Sequence, residues 1–241
     1  MSFDLHSFDL NDVKENKKEL SKYIYASMNG TIYDIAQLVN YIYKDIYKVA
    51  KLKSKIWYFF DGLKWTPSEL GPYYHLSTNI VEVYESFINE EKDKKNILLD
   101  QIEAYVEEIQ TEQEINHYKN TLKVTERTIS ALEKIVCKLK NVNSKEAICK
   151  ECLYLFYDPD FLSSLDIHSH LICFLNGILD LNSNKLRQGQ YSDNISIAIN
   201  VNFVSPKTKK EKTELSILLE DFHKFRYSIT SKRRNKLIYY L

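Results

Sequence analysis

The chain is predicted to be an α+β protein, mainly α: a helical body with a small antiparallel aromatic sheet and an extended helical hairpin arm. Three observations predict this. Only five Gly and four Pro occur in 241 residues, which favours long helices over many short strands. Residues 73–140 contain neither Gly nor Pro. The aromatic run Ile56-Trp57-Tyr58-Phe59-Phe60 ends on Asp61-Gly62, a two-residue hairpin signal, because a type I′ turn needs positive φ at both positions.

The elements follow in order. Residues 1–30 read as a polar lead-in. Gly30 stops that segment, and Thr31 with Asp34 looks like an N-cap. Ile32, Ile35, Ala36, Val39, Ile42, Tyr43 and Ile46 then recur at helical spacing and predict one buried face. Leu63-Lys64-Trp65 is the expected return strand of the aromatic hairpin. From about Glu90 to Thr125 the residues are mostly Glu, Lys, Gln and Asn, with sparse apolar anchors such as Ile97, Leu98 and Ile102, which predicts a projecting helical hairpin. A helix is expected over 126–139 and another over 144–156, ended by Asp158-Pro159. Leu171 to Leu175 is an apolar run, Asn176-Gly177 a turn, Ile178 to Leu181 a strand, and Asn182-Ser183-Asn184 a second turn. Ile195 to Phe203 alternates like a strand. After Pro206 a basic loop leads to helices expected at 213–227 and 231–241. The apolar ending Leu237-Ile238-Tyr239-Tyr240-Leu241 implies packing partners beyond it. The expected organisation is a lead-in (1–30), a main domain (31–206) with the arm inserted at about 90–125, and a basic loop with terminal helices (207–241).

Charge is balanced in total, with 33 basic and 33 acidic residues, but not along the chain. Acids dominate from Glu82 to Glu114, and bases dominate from Asn182 onward. A neutral total can still present one basic face to nucleic acid. No stretch reaches the roughly 18 apolar residues of a membrane span. The polar, acidic start is unlike a signal or transit peptide, and four Cys without one suggest reduced thiols. The expectation is a soluble, cytoplasmic protein that is not secreted and has no membrane partner.

Each candidate chemistry has a plain structural alternative. A phosphate loop needs G-x-x-x-x-G-K-[ST]; Gly30, Gly62, Gly71, Gly177 and Gly189 are all isolated and none precedes Lys, so the chain by itself is expected to hydrolyse no ATP. Cys149-x-x-Cys152 has zinc-ligand spacing, and His168-x-His170 could complete a set; the competing reading, that both Cys lie one turn apart on a core helix, is preferred. Asp158-Pro159-Asp160 resembles a pair of metal-holding carboxylates, but Asp and Pro favour turns for local reasons. Trp57, Tyr58, Phe59 and Trp65 could stack bases, yet aromatics on a small sheet are more often its core. For the basic runs Lys207, Lys209, Lys210, Lys212 and Lys232, Arg233, Arg234, phosphate contact with counterion release and a solvated surface remain equally open.

Three stretches carry a resemblance. They are Trp57 to Trp65; Asp158-Pro159-Asp160-Phe161-Leu162; and Phe174-Leu175-Asn176-Gly177-Ile178-Leu179-Asp180-Leu181, continued by Lys185-Leu186-Arg187 and Tyr191-Ser192-Asp193. Together they resemble the domain immediately preceding the superfamily 3 helicase in primase–helicases of poxviruses, other large nucleocytoplasmic DNA viruses, and phages or plasmids. The matching pattern is W-x-x-(aromatic)-x-G-x-x-W, then helices, then N-G-(apolar)-(apolar)-D-L with a basic residue shortly after. The stretch around 90–125 is longer than the pattern expects. The ATPase domain with its Walker motifs would begin after residue 241, and no primase domain precedes Met1, so the chain reads as an isolated module.

The resemblance implies a non-catalytic module of a viral DNA replication primase–helicase that positions DNA and assists helicase assembly. Its expected partners are DNA, single-stranded or forked, a superfamily 3 helicase domain, and sister copies in a ring. No catalytic residue, metal ligand or cofactor is expected. The candidate DNA-binding residues are Lys64, Arg187, Lys207, Lys209, Lys210, Lys212, Lys232, Arg233 and Arg234. The rival expectation is a protein-interaction module that uses the acidic arm without DNA.

Overall fold

The structure is a computed structural model that describes residues 17–107 and 112–205, together with Ile217. The first 16 residues, the basic loop from Lys207 and, Ile217 apart, the expected terminal helices lie outside the described residues. The fold is α+β and mainly α, with two small three-stranded sheets. It divides into two compact units: Met1–Tyr47 with Glu69–Tyr157, and Lys48–Ser68 with Asp158–Leu241. Among the described residues no helix is long and apolar enough to cross a membrane.

The first unit is helical. Helix α1 (Lys17–Ala26) buries Leu20 and Ile24, one turn apart. It lies within the stretch expected to be a lead-in, where two apolar anchors among lysines are too few to read as a stripe. A 3-10 turn at Ser27–Asn29 follows, closed by Gly30 at φ +72°. Helix α2 (Ile32–Tyr43) starts as expected from Thr31, whose Oγ1 accepts the Asp34 N–H at 3.1 Å. It buries Ile35, Ala36, Leu38, Val39, Ile42 and Tyr43. After the short α3 (Tyr73–Leu76) come α4 (Asn79–Glu107), α5 (Glu112–Leu139) and α6 (Val142–Leu155). Helix α5 begins well before Glu126, because its polar first half has no breaker to stop it.

Helices α4 and α5 form the antiparallel arm. Lys92 pairs with Glu133 at 3.2 Å and Lys95 with Glu126 at 2.8 Å. The inner half is packed: Tyr84, Phe87 and Ile88 on α4, with Leu132, Ile135 and Leu139 on α5, are buried. Each such side chain contributes about 1.5–3 kcal/mol. The Tyr84 hydroxyl meets Ser27 Oγ at 2.7 Å within that core. Between Glu91 and Thr125 none of the described residues is buried. Exposed ion pairs add only about 0–1 kcal/mol apiece, so the outer half rests on its backbone hydrogen bonds and on half-buried apolar side chains such as Leu98, Ile102, Ile115 and Leu122.

His75 on α3 is the buried titratable group of this unit with a clear pH consequence. Its ring stacks on Tyr43 at 4.9 Å, and Nδ1 meets Asn79 Oδ1 at 3.0 Å. Burial lowers its pKa from the usual 6.5, against a smaller upward pull from Asn79. A depressed folded value means that the unfolded chain takes up the proton first. Stability from the neutral ring is therefore present above pH about 6.5 and is lost as pH falls through the folded value. Melting His75→Phe and the parent between pH 7.5 and 5 should show a shallower decline for the variant; parallel curves would contradict this account.

The second unit holds both sheets. In the first, β1 (Tyr47–Lys51), β2 (Ile56–Phe60) and β3 (Trp65–Ser68) lie in that order. Trp57 and Trp65 are core, as expected, with Trp65 only 1% exposed. The Trp65 ring packs edge-on to Phe161 at 5.1 Å, and Tyr58 meets the same ring at 5.2 Å; Phe161 belongs to the short α7 (Phe161–Ser164). The β2–β3 turn differs from the expected type I′. Phe60 faces Trp65 across the ladder, so Leu63 and Lys64 belong to a four-residue loop. Only Gly62 has positive φ there. Asp61 explains the difference: its carboxylate accepts the Leu63 and Lys64 N–H groups at 2.9 and 2.8 Å, a side-chain turn that competes with I′.

The second sheet orders β4 (Leu171–Phe174), β5 (Gly177–Asp180) and β6 (Lys185–Arg187), all antiparallel. Its two faces are both covered: Leu171, Cys173 and Ile178 pack with Ile195, while Ile172, Phe174 and Leu179 pack with Leu181, Ile199 and Phe203. That explains the unbroken apolar run. The loop between β4 and β5 is Leu175-Asn176, and Gly177, at φ +147°, opens β5. Ile195 to Phe203 runs beside β4 but makes a single bridge, Phe174 to Ile199, rather than a full strand. Asn176 holds its end, with Nδ2 donating to the Phe203 carbonyl at 3.0 Å and Oδ1 accepting the Phe203 N–H at 2.8 Å.

Candidate nucleic-acid interface

Of the nine sequence-predicted DNA-binding residues, the structure describes two, Lys64 and Arg187. Lys207, Lys209, Lys210, Lys212, Lys232, Arg233 and Arg234 lie outside the described residues. Lys64 closes the Asp61 loop, and its N–H is held by that carboxylate. The same loop is anchored from the second sheet's side of the unit. Gln188 Nε2 donates to the Gly62 carbonyl at 3.0 Å, and Trp65 Nε1 donates to the Tyr191 carbonyl at 2.9 Å. Gly189 lets this happen: a Cβ there would stand 2.5 Å from the Leu63 carbonyl oxygen.

Arg187 is engaged within the fold. Its guanidinium grips Asp193 with both arms, Nη1 to Oδ2 at 2.8 Å and Nη2 to Oδ1 at 2.6 Å. Asp193 also accepts the Gln190 N–H at 2.8 Å, in the capping box of the 3-10 turn Tyr191–Asp193. Burial by itself would raise the Asp193 carboxyl; the Arg187 and Gln190 hydrogen bonds outweigh it and hold the group below the ordinary carboxylate value. A bidentate, charge-assisted pair of this kind orients both partners.

A basic element that the sequence reading passed over is the β1–β2 hairpin. Lys48, Lys51, Lys53 and Lys55 fall within eight residues. Lys48 lies 3.7 Å from Asp158. Lys51 at the end of β1 and Lys53 and Lys55 on the loop after it are exposed, and none has an acidic partner within ion-pair distance among the described residues. Lys55 takes φ +50° to close the turn, with its N–H on the Leu52 carbonyl at 3.2 Å. The alternation Lys51-x-Lys53-x-Lys55 was the available signal, but it lay outside the two charge-biased blocks.

The other candidate chemistries resolve into structure. Asp158 accepts the Asp160 N–H at 3.1 Å, and the Asp158 N–H donates to the Val49 carbonyl at 3.1 Å, so Asp158-Pro159-Asp160 is a turn. Cys149 and Cys152 lie on α6 in the helical unit. Burial pushes the Cys149 thiol up to about 12 and the Cys152 thiol well above its ordinary range, so both are protonated, unreactive thiols of a packed helix. Among the described residues no group of three or more His, Cys, Asp or Glu is placed to hold a metal.

Comparison with known proteins adds three relatives and one family. The family model described as "D5 N terminal like" matches residues 36–231. A protein of Acanthamoeba polyphaga mimivirus that is named as a helicase is 31% identical over 205 residues, covering 83% of this chain and 20% of its own length. A helicase-named protein of Invertebrate iridescent virus 3 is 28% identical over 170 residues, covering 67% of this chain and 18% of its own. Another from Frog virus 3 is 27% identical over 177 residues, covering 63% and 17%. The chain thus spans about a fifth of the length of the curated relatives it matches.

Proposed function

We propose a role in viral DNA replication from one premise: the chain belongs to the D5 N terminal like family. In this reading it is a non-catalytic module of a primase–helicase. It positions single-stranded or forked DNA and helps the helicase assemble, with a superfamily 3 helicase domain and sister copies as partners. The proposed organisation keeps the main domain at 31–206, the arm at about 90–125 and the basic segment from 207. The candidate contacts are Lys64 and the basic runs Lys207 to Lys212 and Lys232 to Arg234. We add Lys51, Lys53 and Lys55. Arg187 acts here by holding the segment around Asp193.

The observation that carries DNA contact is the Lys51–Lys55 loop. Three exposed ammonium groups without carboxylate partners among the described residues match a polyphosphate backbone, where each contact releases counterions. Contacts of this type read no base sequence. A triple variant, Lys51→Glu, Lys53→Glu and Lys55→Glu, should therefore weaken single-stranded DNA of any sequence roughly tenfold or more. It should also flatten the salt slope by about 2, at about 0.7 per contact. Fluorescence anisotropy at several salt concentrations, beside a thermal melt, measures both. The same reversal at Lys209, Lys210, Arg233 and Arg234 probes the C-terminal run. Parent-like affinity in both folded variants would overturn DNA positioning.

One observation favours the rival protein-interaction reading. Asp93, Ile97 and Asp100 are exposed and follow one another at helical spacing on α4, an acidic face with an apolar centre. Loss of helicase association on Ile97→Lys, with DNA affinity intact, would select it.

A further inference from the structure

We infer that a groove on the helical unit, between the turn at Ser27–Asn29 and helix α5, is a phosphate-binding site for the backbone of single-stranded nucleic acid. The groove has a volume of about 420 Å³ and is lined by Asn29, Gly30, Arg127, Ser130, Lys134 and Lys138, among others. Its polar side chains are those of three cations, a hydroxyl and an amide. That is a donor-rich lining in a space large enough for more than one small group.

The cations stand together because of how α5 is charged. At 100° per residue, Lys123, Arg127, Lys134 and Lys138 fall within about 60° of one another around the axis. Like charges one turn apart destabilise a helix, and Lys134 and Lys138 are such a pair. Carboxylates on α5 do not relieve them. Glu126 and Glu133 are turned across the hairpin to Lys95 and Lys92 on α4. Among the described residues Lys123, Arg127 and Lys134 have no acidic partner within ion-pair distance, and all three are exposed. Asp34, which meets the groove at Asn29, already accepts the Asn29 amide at 2.8 Å and the Thr31 hydroxyl.

Lys138 is preset. Its ammonium donates to the Gly30 carbonyl, which leaves two further N–H donors for a ligand. Gly30 also gives it room, since a Cβ there would lie 2.9 Å from the same nitrogen. From Lys123 to Lys138 the row is about 22 Å long at 1.5 Å per residue. A row of that length suits several successive phosphates better than one free anion. Only the choice of nucleic acid over free polyphosphate rests on the replication role proposed above; the phosphate chemistry stands on the groove itself.

The test uses the full chain and three probes: a fluorescent oligodeoxythymidylate, ATP and inorganic pyrophosphate. The double variant Arg127→Glu, Lys134→Glu alters exposed side chains and should melt like the parent. The expected result is a loss of oligonucleotide affinity of about tenfold and a salt slope flattened by about 1.4, from two contacts at about 0.7 each. If the reversal unfolds the protein, Arg127→Gln with Lys134→Gln replaces it and should give the same direction at smaller size. If the parent binds ATP or pyrophosphate through these residues but no oligonucleotide, the phosphate site stands and the DNA-positioning role falls. If the parent binds the oligonucleotide and the groove variant binds all three probes like the parent, the groove is no site, while the role tested at Lys51, Lys53 and Lys55 is untouched.

Discussion

Gly177→Val is expected to destabilise the sheet unit by roughly 3 kcal/mol or more, through backbone strain and overpacking together. Gly177 takes φ +147°, a region that side chains rarely enter. A Cβ added there would stand 2.8 Å from the Arg187 carbonyl oxygen and 3.2 Å from Leu186 Cγ. The Arg187 oxygen belongs to the backbone of the neighbouring strand, so it cannot swing aside as a flexible side chain would. Valine adds two methyl groups to that collision. The melting temperature should fall by roughly 6–12 °C for a chain of this size. DNA affinity per folded molecule should stay at the parental value, because Gly177 is a structural residue. A melt within about 2 °C of the parent would show that the β4–β5 loop can relax, and lost affinity at unchanged stability would make the position a contact.

Asp193→Ala is expected to cost about 2–4 kcal/mol. Breaking a fully buried ion pair costs about 3–5 kcal/mol. The lower range applies because the Arg187 side chain is 32% exposed, although Asp193 is only 7% exposed. The substitution strands the guanidinium and also removes the acceptor of the Gln190 N–H. Asp193→Asn keeps the shape and one acceptor, so it should lose less. The pH signature separates charge from packing. The Asp193 carboxyl is held below its ordinary value, so its stabilisation is complete above the unfolded pKa of about 3.9 and disappears as pH falls through the folded value. The gap in urea midpoint between parent and Asp193→Asn should be smaller at pH 3 than at pH 6. A constant gap at both would assign the effect to packing.

What could be read from the sequence was what residues decide locally or by period. The Thr31 cap needs only its own side chain and a backbone N–H three residues on, and it formed as read. The apolar period of α2 found its buried face, and the unbroken Leu171–Phe174 run marked a strand covered on both sides. The turn at Asp61-Gly62 was mistyped because the dipeptide signal weighs φ preferences and ignores the Asp61 carboxylate, which bonds two N–H groups itself. The pairing of Arg187 with Asp193 has no periodic signature: six residues apart, the two meet only because a 3-10 turn brings the carboxylate back. The basic face of α5 was invisible for a different reason. Arg127 and Lys134 look balanced by Glu126 and Glu133 in any linear count, and only the partners across the hairpin show that those carboxylates are engaged elsewhere.

The thinly packed outer half of the α4–α5 arm separates length from most of the stability. Between Glu91 and Thr125 none of the described residues is buried, so trimming both helices there removes backbone hydrogen bonds and half-buried apolar side chains such as Leu98, Ile102, Ile115 and Leu122, but, among the described residues, none of the fully buried core. Each residue taken from both helices shortens the projection by about 1.5 Å, and one turn by about 5.4 Å. Reach is thus an adjustable dimension of this fold. A graded series of arm lengths on an unchanged base would work as a molecular ruler, reporting how far from the helical body anything touched by the arm's tip must lie.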